Sequence, residues 1–492
     1  MKLSELLGGL EGLQAGPPAG AEFTSLAYDS RRVECGTLFF AIQGEQADGH
    51  AFIPQALARG AASVVSERPP PAGLAGRWVR VPHIRRALSC AGRAFFREPH
   101  LRLKLIGITG TNGKTTTAFL VDSILRAAGM RTGLFGTIEY RIGERVLPAL
   151  NTTPESLDLW SHFAETAAAG GSAAVLEVSS HALAQERVWG LPFSVAVFTN
   201  LTRDHLDYHQ DFEHYFAAKR RLFEGLGTPP PGWAVINLDD PWGRKLLEGP
   251  SPNRLTYGIE SNAQVQAKLA DCRYRGLEGR ISTPAGELKL LSPLVGRPNL
   301  ANILAATAAA VAFGIPLEKI EQGISELKSI PGRFERIDEG QPFLVMVDYA
   351  HTDDALRNVL NAARELTRGR LIVVFGCGGD RDRAKRPLMG EAAGSLSDLA
   401  ILTSDNPRSE DPRQIINQAL AGLRKTGKRH LTEVDRETAI RCALAEGREG
   451  DVIVLAGKGH ETYQVLKNGT IHFDDREAAR KVLREMGYGV GE

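Results

Sequence analysis

Eight times along this chain a short apolar run breaks directly into a cluster of small polar residues, and no other feature restricts its fold as strongly. Leu103–Thr109 runs into Gly-Thr-Asn-Gly-Lys-Thr-Thr, 173–176 into Glu-Val-Ser-Ser-His, 195–198 into Thr-Asn-Leu-Thr-Arg-Asp-His, and 234–236 into Asn-Leu-Asp-Asp. After Pro331-Gly332-Arg333 the pattern resumes. Residues 343–347 lead to Asp-Tyr-Ala-His, 371–375 to Gly-Cys-Gly-Gly-Asp-Arg, 399–402 to Thr-Ser-Asp-Asn-Pro-Arg, and 452–455 to Ala-Gly-Lys-Gly-His-Glu. Short apolar runs bounded by turn residues read as strands. A single polar strand end is unremarkable, because strands generally stop in Gly, Asp or Asn turns. A series of them describes doubly wound sheets, whose ligands bind outside the carboxyl ends of the strands. The first four runs are expected to form one sheet and the last four a second, with two facing binding edges.

The 492 residues exceed what one hydrophobic core supports, and at about 100–200 residues per domain they suggest roughly three domains. Residues 1–100 mix short apolar runs with helical stretches and read as a small N-terminal α/β domain. Residues 101–330 and 331–492 hold the two sheets. Hydrophobic residues at 43% and charged residues at 24% are ordinary globular values. Lys and Arg (59) nearly balance Asp and Glu (58), so no global field attracts nucleic acid or anionic lipid. The N-terminal stretch lacks the continuous apolar region of a signal peptide, and no run approaches the roughly 18 apolar residues of a membrane span. Five cysteines without CxxC spacing argue against a disulfide framework or a zinc site. A cytoplasmic monomer with small-molecule partners is expected, without nucleic acid or membrane insertion.

The most informative of the polar clusters is Gly110-Thr111-Asn112-Gly113-Lys114-Thr115-Thr116. It follows a strand and precedes a helical pattern, the context a phosphate-binding loop requires. Glycines let the backbone approach phosphate oxygens, helix N–H groups aim at the anion, Lys114 neutralises charge and Thr115 can ligate magnesium. A strict Walker A pattern fails, because its first glycine would fall at Ile108. ATP and GTP are not distinguished by the loop. Glu177 and His205 lie at neighbouring strand ends. Thr115 and Glu177, with phosphate oxygens and water, suit one magnesium ion, whereas His205 alone reads more often as a cap or core histidine than as a ligand. Lys219 alone reads as a solvated helix lysine.

Taken together, the glycine loop, Glu-Val-Ser-Ser-His, Asn-Leu-Thr-Arg-Asp-His-Leu-Asp, Pro-Gly-Arg, Asp-Tyr-Ala-His and Asp-Asn-Pro-Arg resemble the Mur ligases of peptidoglycan precursor synthesis. The resemblance runs from Asp29-Ser30-Arg31 to Gly457-Lys-Gly-His-Glu461. It implies a UDP-substrate-binding N-terminal domain, a central P-loop-type ATPase domain and a C-terminal Rossmann-like domain that brings the amino acid. It further implies that Lys219 is carbamylated by CO2 and, near His205, helps hold the second of two magnesium ions. By the same matching, Tyr28, Ser30 and Glu45-Gln46-Ala47 would meet the uridine nucleotide. Asn151, Thr152, Thr153, Ser179, Gln185 and Arg187 would hold the muramoyl-peptide side; without the resemblance such residues read as turn and cap chemistry.

Asp405-Asn406-Pro407-Arg408 bears on which amino acid is added. Diaminopimelate differs from lysine by a carboxylate at its far end, and an arginine fork can pair that carboxylate bidentately. In the family the arginine-containing version goes with meso-diaminopimelate, and Arg381, Gly457 and Glu461 match the other positions that hold it. The implied reaction joins that amino acid to UDP-N-acetylmuramoyl-L-alanyl-D-glutamate. ATP would activate the D-glutamate side-chain carboxylate as an acyl phosphate, with Lys114 and magnesium spreading the charge and Arg333 reaching the phosphate on domain closure. One departure stands out: Asp353 follows Thr352 where the family usually has proline. The alternatives are lysine addition by the same kind of ligase, a folylpolyglutamate synthetase-like ligase, and a non-enzymatic nucleotide-binding switch. Arg408 argues against the first, the N-terminal domain and Asp-Asn-Pro-Arg against the second, and the second sheet against the third.

Overall fold

The computed structural model describes residues 1–14, 16, 20–44, 47–273 and 276–489. Among these residues, three of the four sheets organise three α/β domains, the fourth being the two-stranded hairpin Tyr463–Leu466 and Gly469–His472. The first is parallel and four-stranded, in the order Ser25–Ala27, Thr37–Phe40, Ser63–Ser66, Trp78–Arg80.

The second sheet has eleven strands. At its centre Lys104–Thr109 lies between Ala173–Glu177 and Phe193–Phe198, parallel to both, with Trp233–Asn237 next in line. The four strands read from the sequence are therefore contiguous. From Lys104–Thr109 the chain proceeds toward one edge and from Phe193–Phe198 toward the other, so the sheet's switch point falls between these two strands. The apolar runs are unbroken because both faces are covered. Ile106, Ile108, Val195 and Val197 pack against helices Lys114–Ala127 and Arg297–Phe313. Leu105, Ala196 and Phe198 face helices Ser156–Ala168 and Phe212–Glu224. Beyond the expected strands the sheet extends at both edges. Antiparallel strands Glu139–Ile142 and Arg145–Pro148 close one side, and Val265–Arg273, Gly276–Thr283 and Gly286–Ser292 the other. In Gly286–Ser292 buried and exposed residues alternate, the mark of a half-covered strand.

The third sheet runs Glu335–Ile337, Leu344–Asp348, Val452–Ala456, Leu371–Cys377, Leu399–Ser404, His430–Thr432. Its four sequence-read strands are again neighbours and mutually parallel. Among the described residues no helix is long and apolar enough to cross a membrane.

Candidate active site

Helix Lys114–Ala127 starts directly from the glycine loop, capped by Gly113 at φ 84°. A Cβ on Gly113 would lie 2.3 Å from Asn302 Oδ1. Glycine is thus required by the protein's own packing as well as by any approaching phosphate. The loop is fastened to the neighbouring strand end across the switch point. The Thr111 amide donates to the Asn200 carbonyl at 2.8 Å, the Asn112 amide to Asn200 Oδ1 at 2.9 Å, and Thr199 Oγ1 to the Asn112 carbonyl at 2.6 Å.

Both site lysines close on this loop. Lys114 Nζ donates to the carbonyls of Gly110 at 2.9 Å and Thr111 at 2.8 Å, and Lys219 Nζ donates to the same Gly110 oxygen at 2.8 Å. Lys219, from helix Phe212–Glu224, is not solvated at all: it is 1% exposed, with Nζ 4.4 Å from the centre of the Tyr215 ring. Burial, then the neighbouring Lys114 cation, pushes its amine well below the ordinary lysine value. Burial lowers Lys114 too, against the pull of Glu177 and Asp204.

Thr115 Oγ1 donates to Glu177 Oε2 at 2.9 Å, which places the two expected oxygen ligands side by side. Glu177 is 1% exposed and accepts two further bonds from Thr137, from its amide at 2.8 Å and its hydroxyl at 3.0 Å. Thr137 escaped the sequence reading, although it too follows a strand, Thr132–Phe135, through Gly136. His205 sits at φ 53° with Nε2 3.4 Å from Asp204 Oδ2 and its ring 4.6 Å from that of His181. Burial, then His181, Lys114 and Lys219, lowers its pKa to about 4 against the pull of Asp204. The imidazole is therefore neutral, the form that binds metals. Among the described residues no three His, Cys, Asp or Glu side chains converge on one point. The oxygen pair Thr115 and Glu177 fits an ion such as magnesium, which keeps waters and substrate phosphates in its shell.

Next to Glu177, Thr153 links most of the residues matched to the muramoyl side. Its hydroxyl donates to the Glu177 carbonyl at 2.8 Å and accepts from the Ser179 amide at 3.0 Å, while Arg187 Nη1 donates to its carbonyl at 3.1 Å. Arg187 Nη2 also donates to Gln185 Oε1 at 2.8 Å, and Ser179 caps helix Ser180–Ala184. Thr152 meets Thr137, hydroxyl to hydroxyl, at 3.2 Å, and the Asn151 carbonyl accepts from the Tyr140 hydroxyl at 2.5 Å. Of the uridine set, Tyr28 reaches the central domain by donating to Asp158 Oδ2 at 2.5 Å. Burial, reinforced by Asp158, raises that phenol's pKa. Ser30 is buried and donates to Gln55 Oε1 at 2.8 Å. Ala47 is exposed; Glu45 and Gln46 lie outside the described residues.

At the edge of the third sheet, Arg408 holds a left-handed backbone, φ 53°, and its Nη1 donates to the Gly379 carbonyl at 2.7 Å. The Asn406 amide group donates to Glu461 Oε2 at 2.8 Å, and Asp405 Oδ1 is buried without a hydrogen-bond partner. Gly457 leaves room for Asp405: a Cβ there would come within 3.2 Å of Asp405 Oδ2. Pro407 packs its carbonyl on Gly379, and Arg381 stands exposed at the rim of the same loop.

A hydrogen bond joins the two edges. Thr202, whose Oγ1 accepts from Asn112 Nδ2 at 3.2 Å, donates to Asp354 Oδ2 at 3.0 Å. Arg333 lays its guanidinium over Tyr349, 4.7 Å from the ring centre, with its buried Nε unpaired. At the departure from the family pattern, Thr352 caps helix Asp353–Leu366 and Asp353 takes the first helical position. A carboxylate there favours the helix dipole, so the missing proline costs the helix little.

Residues 22–95 match the catalytic domain of the Mur ligase family, 108–310 the Mur ligase middle domain, and 332–459 the Mur ligase glutamate ligase domain. The UDP-N-acetylmuramoyl-L-alanyl-D-glutamate--2,6-diaminopimelate ligase of Solibacter usitatus is 57% identical over 470 residues, 96% of this chain and 95% of that protein. Its namesake from Geobacillus kaustophilus is 46% identical over 491 residues, 99% of this chain and 100% of that protein. A solved structure of a ligase of the same name has a TM-score of 0.68 at 36% identity, covering 95% of this chain and 96% of that one. The chain belongs to the Mur ligase family.

Proposed function

We propose that the chain is the ATP-dependent amide ligase that adds meso-2,6-diaminopimelate to UDP-N-acetylmuramoyl-L-alanyl-D-glutamate in peptidoglycan precursor synthesis. The observation that carries this reading is the strand-end cluster in which Asn406 holds Glu461 at 2.8 Å and the charges of Arg408, Asp405 and Glu461 all bear on Tyr463. An amino acid whose far end bears both a carboxylate and an ammonium satisfies both signs of charge; lysine offers the arginine no carboxylate. The relatives named above support the same reaction.

In the first step the D-glutamate carboxylate oxygen attacks the γ-phosphorus of ATP, the bond to the β-phosphate oxygen breaks, and ADP leaves an acyl phosphate. In the second, the diaminopimelate amine attacks the acyl carbon, the C–N bond forms, and the C–O bond breaks with loss of phosphate and a proton. Lys114 and the N-terminus of helix Lys114–Ala127 offset the charge on the transferring group. Thr115 and Glu177 would hold a magnesium ion, with neutral His205 serving a second; when bound, magnesium spreads phosphoryl charge. Arg333, with an unpaired Nε at the junction of the edges, is suited to the same anion once the domains close.

Lys219 is assigned the carbamate. Its burial against a second lysine favours the neutral amine, the form that adds CO2 to give an anionic carbamate and a proton. The muramoyl peptide would lie along Asn151–Thr153, Ser179, Gln185 and Arg187, and the uridine end near Tyr28, Ser30 and residues 45–47. The three roles are assigned to residues 1–100, 101–330 and 331–492, a division supported by each of the three main sheets lying within one of these ranges. The test is product analysis by mass spectrometry after incubation with ATP, magnesium, the UDP-muramoyl dipeptide and meso-diaminopimelate. A UDP-muramoyl tripeptide is expected; its absence overturns the assignment.

A further inference from the structure

Lys458 is 0% exposed, yet its ammonium is surrounded by groups of the amino-acid pocket. Nζ donates to Glu461 Oε2 at 3.1 Å and Asn406 Oδ1 at 3.2 Å, and lies 3.7 Å from Asp405 Oδ1. A lysine this deeply buried needs partners, because an unpaired interior charge is strongly destabilising. All its partners here are residues that the proposed function places against the far end of the amino acid.

The contacts fix orientation. Asn406 Oδ1 accepts from both Lys458 Nζ and the Val465 amide, the latter at 3.0 Å. Its amide nitrogen is thereby turned toward Glu461, to which it donates at 2.8 Å. Beneath the pocket Arg436 and Asp475, both 0% exposed in their side chains, pair at 2.6 Å, and Arg436 Nη2 donates to the Ala456 carbonyl at 3.0 Å. Asp475 is the main partner of Arg436, on which Asp405 and Glu461 also act, whereas Lys458 places its ammonium within 3.1 Å of Glu461 and 3.7 Å of Asp405.

The contacts also set charge. Asp405 and Glu461 are two carboxylates, while the far end of diaminopimelate offers one ammonium. We propose that Lys458 is the charge-balancing positioning residue of this pocket, offsetting one carboxylate and locking Asn406 and Glu461 in place. It thereby favours a zwitterionic far end over a purely cationic one. Without Lys458 the pocket gains net negative charge, which repels the substrate carboxylate held by Arg408 and favours L-lysine. The inference rests on the diaminopimelate reading above.

The test compares Lys458→Gln with the parent enzyme for meso-diaminopimelate and L-lysine, measuring kcat and KM for each and KM for ATP. The KM for diaminopimelate is expected to rise by about 10–100-fold, the scale of a lost charge-assisted hydrogen bond, while kcat and the KM for ATP stay within about 3-fold. Preference for diaminopimelate over lysine should fall by at least about 10-fold. Preference unchanged in Lys458→Gln, or an equal loss in every parameter, overturns the inference. If Lys458→Gln does not fold, Lys458→Arg is decisive. A folded Lys458→Arg that keeps the preference supports the charge role, and one that loses it or fails to fold overturns it. A parent enzyme that does not use diaminopimelate would instead refute the functional reading itself.

Discussion

Lys114 and Lys219 donate to one and the same carbonyl oxygen, that of Gly110, from 2.9 and 2.8 Å. Two ammonium groups on one buried oxygen repel each other, and the one farther from any carboxylate gives way. Lys114 has Glu177 and Asp204 nearby, whereas Lys219 is opposed by Lys114 and helped only by Asp204. This asymmetry fits the division of work proposed above, charge neutralisation for Lys114 and CO2 capture for Lys219.

Replacing Lys219 with methionine should therefore remove most activity, by about 10²–10³-fold in kcat, the scale seen when one preorganised electrostatic group is lost. Short carboxylic acids should restore part of it, and ¹³C-labelled bicarbonate should give a carbamate signal in the parent protein alone. A labelled signal of equal size in Lys219→Met places the carbamate elsewhere.

The Pro-Gly-Arg linker is seated on the amino-acid loop. Gly332 has φ 63°, and a Cβ there would lie 2.0 Å from Gly459 C and His460 N. Gly332→Ala should force the linker off that loop and displace Arg333 from the reacting groups. The expected loss in kcat is about 10²-fold, with the KM for ATP little changed. Full kcat in a folded Gly332→Ala would show that Arg333 is placed by other contacts.

Much of this site was legible in the sequence because its residues sit at strand ends, and strands buried on both faces read as unbroken apolar runs. The glycine loop, Glu177 and the Asp405–Arg408 cluster all follow such runs. Features built from half-covered strands or distant pairs were not legible. Gly286–Ser292 alternates and ends no apolar run. Thr137 follows a strand whose central residues do not stand out in the sequence, and its link to Glu177 spans 40 positions. Arg436 and Asp475 are 39 positions apart, and no sequence signal pairs them. Lys458 lay in plain view within Gly-Lys-Gly-His-Glu, but burial and three polar neighbours emerge only once the loop is folded.

Glu186 ties the N-terminal domain to the Lys219 helix. Arg86 Nε donates to its Oε2 at 2.7 Å and Arg221 Nη2 to its Oε1 at 2.6 Å. Burial pushes the carboxyl's pKa up, but the hydrogen bonds from Arg86 and Arg221 outweigh it and leave it below the ordinary value of 4.5. The unfolded chain therefore takes up this proton first as pH falls, so the stabilisation is present above the unfolded value and lost through the lower folded one. Glu186→Gln should cost about 1 kcal/mol at pH 7 after solvent screening of a half-buried group, or about 2–4 °C in melting midpoint. The gap from the parent should narrow progressively as the scans go below the ordinary carboxyl value of 4.5. A gap that persists there would assign the cost to packing.

Arg408 combines a left-handed backbone with a guanidinium held by the Gly379 carbonyl. Arg408→Lys keeps the charge but loses the planar fork, so kcat/KM for meso-diaminopimelate should fall by about 10–100-fold with the KM for the UDP-muramoyl dipeptide unchanged. Steady-state kinetics with each substrate varied in turn checks this. An unaltered kcat/KM would remove Arg408 from amino-acid recognition.

The proposed ligation requires the glycine-loop edge and the Arg408 edge to act in one reaction. The direct measurement is phosphate release from ATP and magnesium with the UDP-muramoyl dipeptide present, comparing meso-diaminopimelate, L-lysine and no amino acid. Sustained release with meso-diaminopimelate, and far less with lysine or no addition, is the predicted result. Release at one rate in all three would contradict it.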